Sequence, residues 1–386
     1  MDLDHILYHL GEGEKGLDLP ASPPIYQTSN FVFKSLGEMK ESLEREHQIP
    51  FYTRGANPTV QILQKKIAAL EATEAALLFS SGSAAITAAV VSQVKAGDHI
   101  LCVANPYGWT KKLIENVLSR FGVHHDFIDA SDPEQVIGQV RADTSLIFLE
   151  SPNSWTYEMQ DLEPIAAFAR KKGIRTIFDN SAASPIYQHP AKYGIDIIVH
   201  SATKYLAGHS DVVAGALCTT ETIADQIFCG EFMTFGGIIS PFDAWLMIRS
   251  LRTLPLRLEK IGKNATEVAA FLEMHPKVRR LFYTHSHSFP QTHLVKKYLS
   301  GNGGLMTFDL DTDDAGLVED FCNQLQHFRL GCSWGGYESL AFPALATIGS
   351  LNYSKKEALV NRVRIYVGLE DSKLLIDDLT NALEKI

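Results

Sequence analysis

Short apolar runs alternate with longer amphipathic segments between Ala75 and Leu217. The runs have the length and composition of buried strands, and they are Ala76 to Phe79, His99 to Val103, Ser145 to Leu149, Thr176 to Phe178, Ile195 to Val199 and Gly215 to Leu217. The segments with helical period are Ala84 to Lys95, Thr110 to Phe121 and Leu162 to Lys172. This alternation predicts an α/β fold built on a mostly parallel sheet.

The pattern changes beyond about Leu258, where it predicts a smaller α+β domain. Helices alternate there with strands near Leu281 and at Leu305 to Leu310. A helix from Phe242 through Leu251 joins the two parts. Because 386 residues exceed one ordinary core, we expect a large domain at 61–257 and a small domain at 258–386.

The first sixty residues are interrupted by Pro20, Pro23, Pro24, Pro50 and Pro58. Proline restricts its own backbone and removes a hydrogen-bond donor, so these positions oppose regular elements. We therefore expect residues 1–60 to form an extended arm, and a partner subunit is the natural surface for it to wrap.

Charge and composition exclude several classes of protein. The formal net charge of -10 comes without a basic block, which argues against nucleic acid or a membrane surface as a partner. An acidic amino terminus and the lack of a long apolar run indicate a cytoplasmic location. The five cysteines are scattered, and His285 and His287 have no third ligand nearby, so neither disulfides nor a metal site are expected.

A carboxylate and an amine follow two of the predicted strands. Asp179 ends the first of these runs, and Lys204 follows the second within Ser201-Ala202-Thr203-Lys204. Parallel strands deliver both side chains to the same sheet edge. This is the pair that pyridoxal phosphate needs, because the lysine can form a Schiff base with the cofactor aldehyde and the aspartate can keep the pyridine nitrogen protonated.

Further residues are candidates for the rest of a cofactor site. Ser81, Gly82 and Ser83 lie between a strand and a helix, where amide groups converge on an anion, although an ordinary tight turn has the same sequence. Ser201 and Thr203 flank the lysine and can offer hydroxyls to a phosphate. The ring of Tyr107, just past the second strand, can stack on a pyridine ring or be an interface tyrosine.

Two pairs of residues at alternate positions can bind anions. Tyr52 and Arg54 project to one side of an extended arm and can reach a phosphate, or they are an exposed polar pair. Arg362 and Arg364 share one face of a strand that otherwise buries valine and isoleucine. A buried guanidinium needs a carboxylate, and an amino-acid substrate supplies one.

Motifs occur in order along nearly the whole chain: Pro23-Pro24-Ile25, Tyr52-Thr53-Arg54, Asn57-Pro58-Thr59, Ser81-Gly82, Tyr107-Gly108, Glu150-Ser151-Pro152, Asp179-Asn180, Ser201-Ala202-Thr203-Lys204, Gly208-His209-Ser210-Asp211, Ser240-Pro241-Phe242-Asp243-Ala244-Trp245 and Gly368-Leu369-Glu370-Asp371. Together they resemble the Cys/Met-metabolism family of pyridoxal-phosphate enzymes, the cystathionine γ-synthase and β-lyase group of fold type I.

The resemblance implies a role for each candidate. Catalytic roles fall to Lys204, which would carry the cofactor, and to Tyr107 and Tyr52. The implied cofactor site consists of Lys204, Asp179, Ser81, Gly82, Ser83, Tyr107, Ser154, Ser201 and Thr203, with Tyr52 and Arg54 completing the phosphate site of the neighbouring subunit. Arg364 would bind the substrate α-carboxylate, with Ser333 and Trp334 beside it. A homodimer with shared active sites, paired into a homotetramer, is implied as well.

The subgroup is less sharply defined by sequence. The segments Asn153-Ser154-Trp155-Thr156-Tyr157 and Ser333-Trp334-Gly335-Gly336 resemble bacterial cystathionine β-lyases. The Ser-Ser-Gly loop, the Asn-Pro-Thr motif and the Ser-Pro-Phe-Asp-Ala-Trp helix are more like γ-synthases. We expect β-elimination of L-cystathionine, or of a related cysteine thioether, to a thiol, pyruvate and ammonia. The alternatives are γ-replacement or γ-elimination, and a non-catalytic protein that kept the fold.

Overall fold

The computed structural model describes residues 1–12, 20–350 and 359–386. It divides into two compact units. The first consists of Met1–Ser151, Gln160–Ala207 and Asp211–Thr253, and the second of Pro152–Met159, Gly208–Ser210 and Leu254–Ile386. None of the described helices is long and apolar enough to cross a membrane.

The first unit is built on a sheet whose described strands are β1 (Ala75–Phe79), β2 (His99–Val103), β3 (His124–Ile128), β4 (Thr144–Glu150), β5 (Arg175–Asp179), β6 (Ile197–His200) and β7 (Gly215–Thr219). Their order across the sheet is β1-β7-β6-β5-β4-β2-β3. Pairing is parallel from β3 to β6, whereas β7 is antiparallel to both β6 and β1. The mostly parallel α/β sheet predicted from the sequence is confirmed.

One strand and one helix of the first unit differ from the elements that the sequence pattern predicts. Strand β3 is not predicted, because it begins His124-His125-Asp126 and lacks an apolar run. It tolerates these polar residues because it lies at the sheet edge, where one side is open to solvent. The helix predicted at Thr110–Phe121 is divided into a short α-helix, a π-helical turn and a 3₁₀ turn.

Helices of the first unit are α1 (Leu3–Tyr8), α2 (Leu36–Glu44), α3 (Pro58–Glu71), α4 (Gly82–Val91), α5 (Gly108–Lys112), α6 (Pro133–Gly138), α7 (Leu162–Lys172), α8 (Ser184–Tyr187), α9 (Glu221–Ile227), α10 (Met233–Phe235) and α11 (Pro241–Leu251). Side-chain caps define several helix starts. At α11 the Ser240 hydroxyl accepts from the Asp243 N–H and donates to the Asp243 carboxylate, with Pro241 in the first turn.

The first sixty residues are less irregular than their prolines predict. Helix α1 precedes the first of these prolines and α2 lies between Pro24 and Pro50, so the expectation of no regular element there is wrong. Residues 13–19 of the predicted arm lie outside the described residues. The segment before α2 is extended and is held by the start of α3. The Thr59 hydroxyl donates to the Pro24 carbonyl and accepts from the Tyr26 N–H, and the Asn57 amide donates to the Tyr26 carbonyl.

The second unit has a mixed sheet whose described strands are β8 (Val278–Phe282), β9 (Leu305–Leu310), β10 (Arg329–Leu330), β11 (Leu340–Pro343) and β12 (Arg362–Tyr366), in the order β10-β11-β12-β9-β8. Its helices are α12 (Leu254–Met274), α13 (Thr292–Tyr298), α14 (Ala315–Gln324) and α15 (Ser372–Leu383). Its core includes the buried side chains of Val268, Phe308, Phe321 and Leu379. Strand β12 therefore lies between β11 and β9, with one face available to carry polar side chains.

Candidate active site

Asp179 is the last residue of β5, between two parallel neighbours. In the register of the sheet it lies opposite Glu150 on β4 and Val199 on β6. The residue is only 6% exposed. Its Oδ1 accepts hydrogen bonds from the Ser181 N–H, at 2.9 Å, and from the Ser181 hydroxyl, at 2.5 Å. A buried carboxylate is thus held in a defined orientation at the carboxyl end of the sheet.

Opposing effects set the charge of Asp179. Burial raises the pKa of this carboxyl above its ordinary value, because the charged form loses its hydration. The hydrogen bonds from Ser181, then the charges of His200 and Lys204, act to lower the same pKa. A cation placed against Asp179, such as a protonated pyridine nitrogen, would further favour the carboxylate.

Lys204 lies in the turn that follows β6. Its N–H donates to the Ser201 carbonyl at 3.0 Å. The Ser201 N–H in turn donates to the Ser181 hydroxyl oxygen at 2.6 Å. Because Ser181 also binds Asp179, a single serine connects the strand ends that carry the carboxylate and the lysine. The structure therefore brings Asp179 and Lys204 into one electrostatic environment.

The start of α4 makes a close contact with the lysine turn, the segment from Ser201 to Lys204 that follows β6. The Ser81 hydroxyl accepts a hydrogen bond from the Ala84 N–H at 3.1 Å and caps the helix, while Ser83 is exposed in its first turn. A Cβ added to Gly82 would lie 2.8 Å from the Ser201 Cα, so this position requires glycine. The amide groups of a helix N-terminus are thereby placed beside Ser201, an arrangement suited to an anionic phosphate.

Thr203 and Tyr107 are positioned by backbone contacts. The Thr203 hydroxyl donates to the Ala214 carbonyl at 3.1 Å and accepts from the Ala214 N–H at 3.0 Å, which ties the lysine turn to the residue before β7. The Tyr107 N–H donates to the Glu150 carboxylate at 2.6 Å. Tyr107 is 42% exposed. Its backbone is fixed while its ring remains accessible for stacking.

Tyr52 and Arg54 lie together in the arm. The Arg54 Cζ is 5.6 Å from the centre of the Tyr52 ring, within the range of a cation–π contact. Both residues are exposed. Within the part of the chain that the structure describes, neither side chain makes a hydrogen bond or an ion pair. The structure thus places the two side by side but shows no hydrogen bond from either to Asp179 or Lys204.

The second unit distinguishes the two arginines of β12. Arg362 binds the Asp309 carboxylate with two hydrogen bonds, at 2.7 and 2.9 Å, across the β12–β9 pair. Arg364 lies two residues along the same face, opposite Phe342 on β11 and Thr307 on β9. Arg362 therefore has a carboxylate partner within the fold, whereas Arg364 contacts two aromatic rings.

Two aromatic rings contact the Arg364 guanidinium. Its Cζ lies 5.0 Å from the centre of the Trp155 ring and 5.2 Å from that of Phe342. Such contacts fix the plane of a guanidinium without using its N–H donors. Trp155 has a φ of +70°, which is costly for an aromatic residue and is typical of functional segments.

Tyr157 extends this arrangement. Its φ is +59°, and its hydroxyl is 3.2 Å from the Thr307 hydroxyl. Burial raises the pKa of Tyr157 to about 12, and the nearby charge of Arg364 opposes that rise. Tyr157 is therefore a neutral buried phenol that supports the Trp155 segment at neutral pH.

The other predicted residues of the second unit are Ser154, Ser333 and Trp334, all half-buried. The Ser154 carbonyl accepts from the Thr156 N–H at 2.9 Å, which closes a tight turn around Trp155. Ser333 has a φ of +82°, another strained non-glycine position. Among the described residues no group of three or more histidine, cysteine or acidic side chains is arranged to hold a metal ion.

These features fit pyridoxal phosphate. The buried carboxylate of Asp179 and the amine of Lys204 come from adjacent strand ends, and Gly82 allows helix amides to lie beside Ser201. Such an arrangement can hold a phosphate, a reactive aldehyde and a protonated ring nitrogen at one sheet edge. The fold and this residue set define a pyridoxal-phosphate-dependent enzyme of fold type I.

The chain belongs to the Cys/Met metabolism family of PLP-dependent enzymes, whose family model matches residues 6–384. It is 38% identical to a cystathionine γ-lyase of Bacillus subtilis (strain 168), over 95% of this chain and 94% of that protein. Identity to a cystathionine β-lyase of Lactococcus lactis subsp. cremoris (strain MG1363) is 37%, over 94% of each chain.

A solved structure gives the same result for the fold. The crystal structure of metB from Corynebacterium glutamicum matches with a TM-score of 0.92 and 31% identity, and it covers 100% of this chain and 98% of that one. The predicted resemblance, the cofactor and the lyase class are confirmed. The names of the relatives divide between β- and γ-lyases, so they leave the particular reaction open.

Sequence reasoning missed several residues that shape the site. Ser181 connects the two strand ends, and its only signal is its place two residues after Asp179. Phe342 contacts Arg364 across strands that are more than twenty residues apart in sequence, so no local pattern could find it. The burial of Glu71 at the end of α3 is not predicted by the sequence either, although its position beside apolar residues is a usable signal.

Proposed function

We propose that this enzyme is a carbon–sulfur β-lyase acting on L-cystathionine or a related cysteine thioether. The bond between Cβ and sulfur breaks and homocysteine leaves as the thiol when cystathionine is the substrate. Water then converts the remaining three-carbon part to pyruvate and ammonia. When bound, pyridoxal phosphate supplies the electron sink for removal of the Cα proton.

The observation that carries this proposal is the placement of Trp155 against Arg364. The segment around Trp155 is the one whose sequence resembles β-lyases, and it contacts the arginine proposed to bind the substrate carboxylate. Residues at that position should affect the choice of reaction more than residues around the phosphate. The sequence motifs that resemble γ-synthases belong to the phosphate loop, the arm and the start of α11.

Each residue of the proposed site has a separate role. Lys204 is proposed to hold the cofactor covalently and then to remove the proton from the substrate Cα as general base. Asp179 would hold the ring nitrogen protonated, and Tyr107 would cover the ring. Phosphate binding is proposed for Gly82, Ser83, Ser201 and Thr203, and Ser81 and Ser154 are proposed as further cofactor-binding residues. Arg364, with Ser333 and Trp334, would bind the α-carboxylate.

A γ-elimination is the alternative, and the relatives named γ-lyases favour it. That reaction requires a second proton to be removed, from Cβ, by a base able to move between two carbons. Lys204 has the flexible side chain that both reactions need, so the catalytic base does not separate them.

Product identification separates the two reactions. Purified, cofactor-loaded enzyme would receive L-cystathionine, and the 2-oxo acid and thiol would be identified by mass spectrometry. We expect pyruvate with homocysteine. Formation of 2-oxobutyrate with cysteine would replace the β-lyase proposal by a γ-lyase, and turnover of neither kind would reject cystathionine as the substrate.

Arg364 offers a test of substrate binding with a control on the same strand. Replacing Arg364 by glutamine should raise the KM for the amino-acid substrate by roughly ten-fold to a hundred-fold, because a charge-assisted hydrogen bond is worth about 1.5–3 kcal/mol. Steady-state kinetics measure the change. The fold should be little affected, because glutamine keeps much of the side-chain volume that packs against the two rings.

Arg362→Gln is the matched control. It removes the two hydrogen bonds to Asp309 and should lower the free energy of unfolding by about 3 kcal/mol, with little effect on KM. Denaturant unfolding measures this loss. A larger effect on KM from Arg362 than from Arg364 would assign the carboxylate site to the wrong arginine.

An assembly with shared active sites is also proposed. Tyr52 and Arg54 are exposed, and apolar side chains nearby in the arm are exposed too, namely Val32, Leu36, Met39 and Leu43. Exposed apolar side chains of this kind favour burial against a second copy of the chain. A homodimer paired into a homotetramer is therefore proposed, and five free thiols agree with a cytoplasmic location.

A further inference from the structure

Three buried polar side chains form a cluster next to Asp179 and the lysine turn. Glu71, the last residue of α3, is fully buried, and His200 at the end of β6 is 1% exposed. The Glu71 Oε1 is 2.5 Å from the His200 Nε2 and accepts a hydrogen bond from the Asn180 side-chain amide at 2.7 Å. One carboxylate oxygen therefore joins the residue that follows β5 to the last residue of β6.

The two partners of Glu71 are adjacent in sequence to the residues of the cofactor site. Asn180 directly follows Asp179, and its N–H donates to the Val199 carbonyl of β6 at 2.9 Å. His200 directly precedes Ser201, which begins the lysine turn. A movement of Glu71 would therefore displace the backbone just after Asp179 and the backbone just before the turn that carries Lys204.

A carboxylate is energetically unfavourable at the position of Glu71. Burial removes the hydration of the Glu71 carboxylate, and the carboxyl end of a helix disfavours negative charge. Glutamine has an acceptor oxygen at the same position and would avoid both costs while keeping the two hydrogen bonds. Packing alone therefore does not account for a carboxylate here.

His200 provides the electrostatic connection. Its positive charge favours the ionised form of Asp179 and opposes the rise in pKa that burial causes. The Glu71 carboxylate, whose Oε1 is 2.5 Å from the His200 Nε2, is the partner of this imidazole. The order Glu71, His200, Asp179 thus places an imidazole between two carboxyl groups.

We propose that Glu71 is a positioning residue which, through His200 and Asn180, keeps Asp179 ionised and correctly oriented for the ring nitrogen of the cofactor. Glu71 itself acts at a distance from the reacting atoms. This inference rests on the role proposed above for Asp179, and it adds a residue that neither the motifs nor the family comparison assigns.

Cofactor affinity tests the inference without relying on turnover. The dissociation constant of pyridoxal phosphate for the apo-protein would be measured for wild type, Glu71→Gln, Asp179→Asn and the double variant. We expect Glu71→Gln to weaken binding by about ten-fold, since the charged interaction is lost while its shape is kept. Because Glu71 acts through Asp179, the double variant should bind no more weakly than Asp179→Asn alone.

The outcomes separate failure of this inference from failure of the site assignment. Normal affinity in Glu71→Gln, or losses that multiply in the double variant, would overturn the positioning role. Normal affinity in Asp179→Asn would instead overturn the assignment of Asp179. If Glu71→Gln is too unstable to purify, His200→Gln in the same cycle tests the same connection.

Asp378→Asn provides a matched control for loss of a buried carboxylate. Asp378 is 5% exposed and accepts hydrogen bonds from the backbone N–H groups of Gln326, His327 and Phe328, all within the second unit. Its replacement should lower thermal stability and leave cofactor affinity unchanged. An equal loss of cofactor affinity in Asp378→Asn would show that the Glu71 result reflects general destabilisation, and would contradict the inference.

Discussion

Replacing Lys204 by alanine is expected to abolish covalent attachment of the cofactor and to reduce kcat by at least roughly 10²- to 10⁴-fold, the range for loss of a general base. The reason is that one amine is proposed both to hold the cofactor and to move the Cα proton. Product formation from L-cystathionine and visible absorbance of the purified protein measure the two effects.

Lys171→Ala is the control, because Lys171 is an exposed lysine near the end of α7. It should retain normal activity and normal absorbance. Addition of a small primary amine should partly restore turnover to Lys204→Ala, since the amine can replace the missing base. Retention of most activity in Lys204→Ala would contradict the proposed chemistry.

Replacing Asp179 by alanine should reduce kcat by roughly 100-fold or more, because the carboxylate that keeps the ring nitrogen positive is removed. Asp179 lies at the strand end beside β6, where Ser181 orients it. The loss should appear mainly in kcat, with weaker cofactor binding as a second effect. Steady-state kinetics at saturating pyridoxal phosphate separate the two.

Ser181→Ala is an informative companion to Asp179→Ala. It keeps the carboxylate and removes the hydroxyl that joins Asp179 to the Ser201 backbone. A smaller loss, of about 10-fold, is expected, because one hydrogen bond to a charged group is removed. Near-normal turnover in Asp179→Ala would reject the electron-sink role outright.

Much of the first unit follows from local sequence. The strand His99–Val103 and the helix Leu162–Lys172 occur with the predicted bounds, because each has a clear apolar period and clear ends. Strand β3 and the helices of the arm do not follow in this way. An edge strand does not require buried residues on both faces, and α2 fits between Pro24 and Pro50, although prolines at this density predict an extended segment.

The residues of the candidate site also fall into two groups, those that local sequence predicts and those that it does not. Asp179 and Lys204 could be predicted, because strand ends in a parallel sheet place their residues at one edge. The contacts of Arg364 with Phe342 and of Glu71 with His200 could not, since each joins segments far apart in the chain. Only the register of the strands and the end of α3 bring these residues together.

The most direct test of the account is to locate the cofactor on the chain. The enzyme would be loaded with pyridoxal phosphate, reduced with borohydride, digested and mapped by mass spectrometry, with Lys204→Ala treated in parallel. We expect the phosphopyridoxyl group on the peptide containing Lys204 and no labelled peptide from the variant. Labelling of a different lysine in the wild type, or equal labelling of the variant, would contradict the proposed active site.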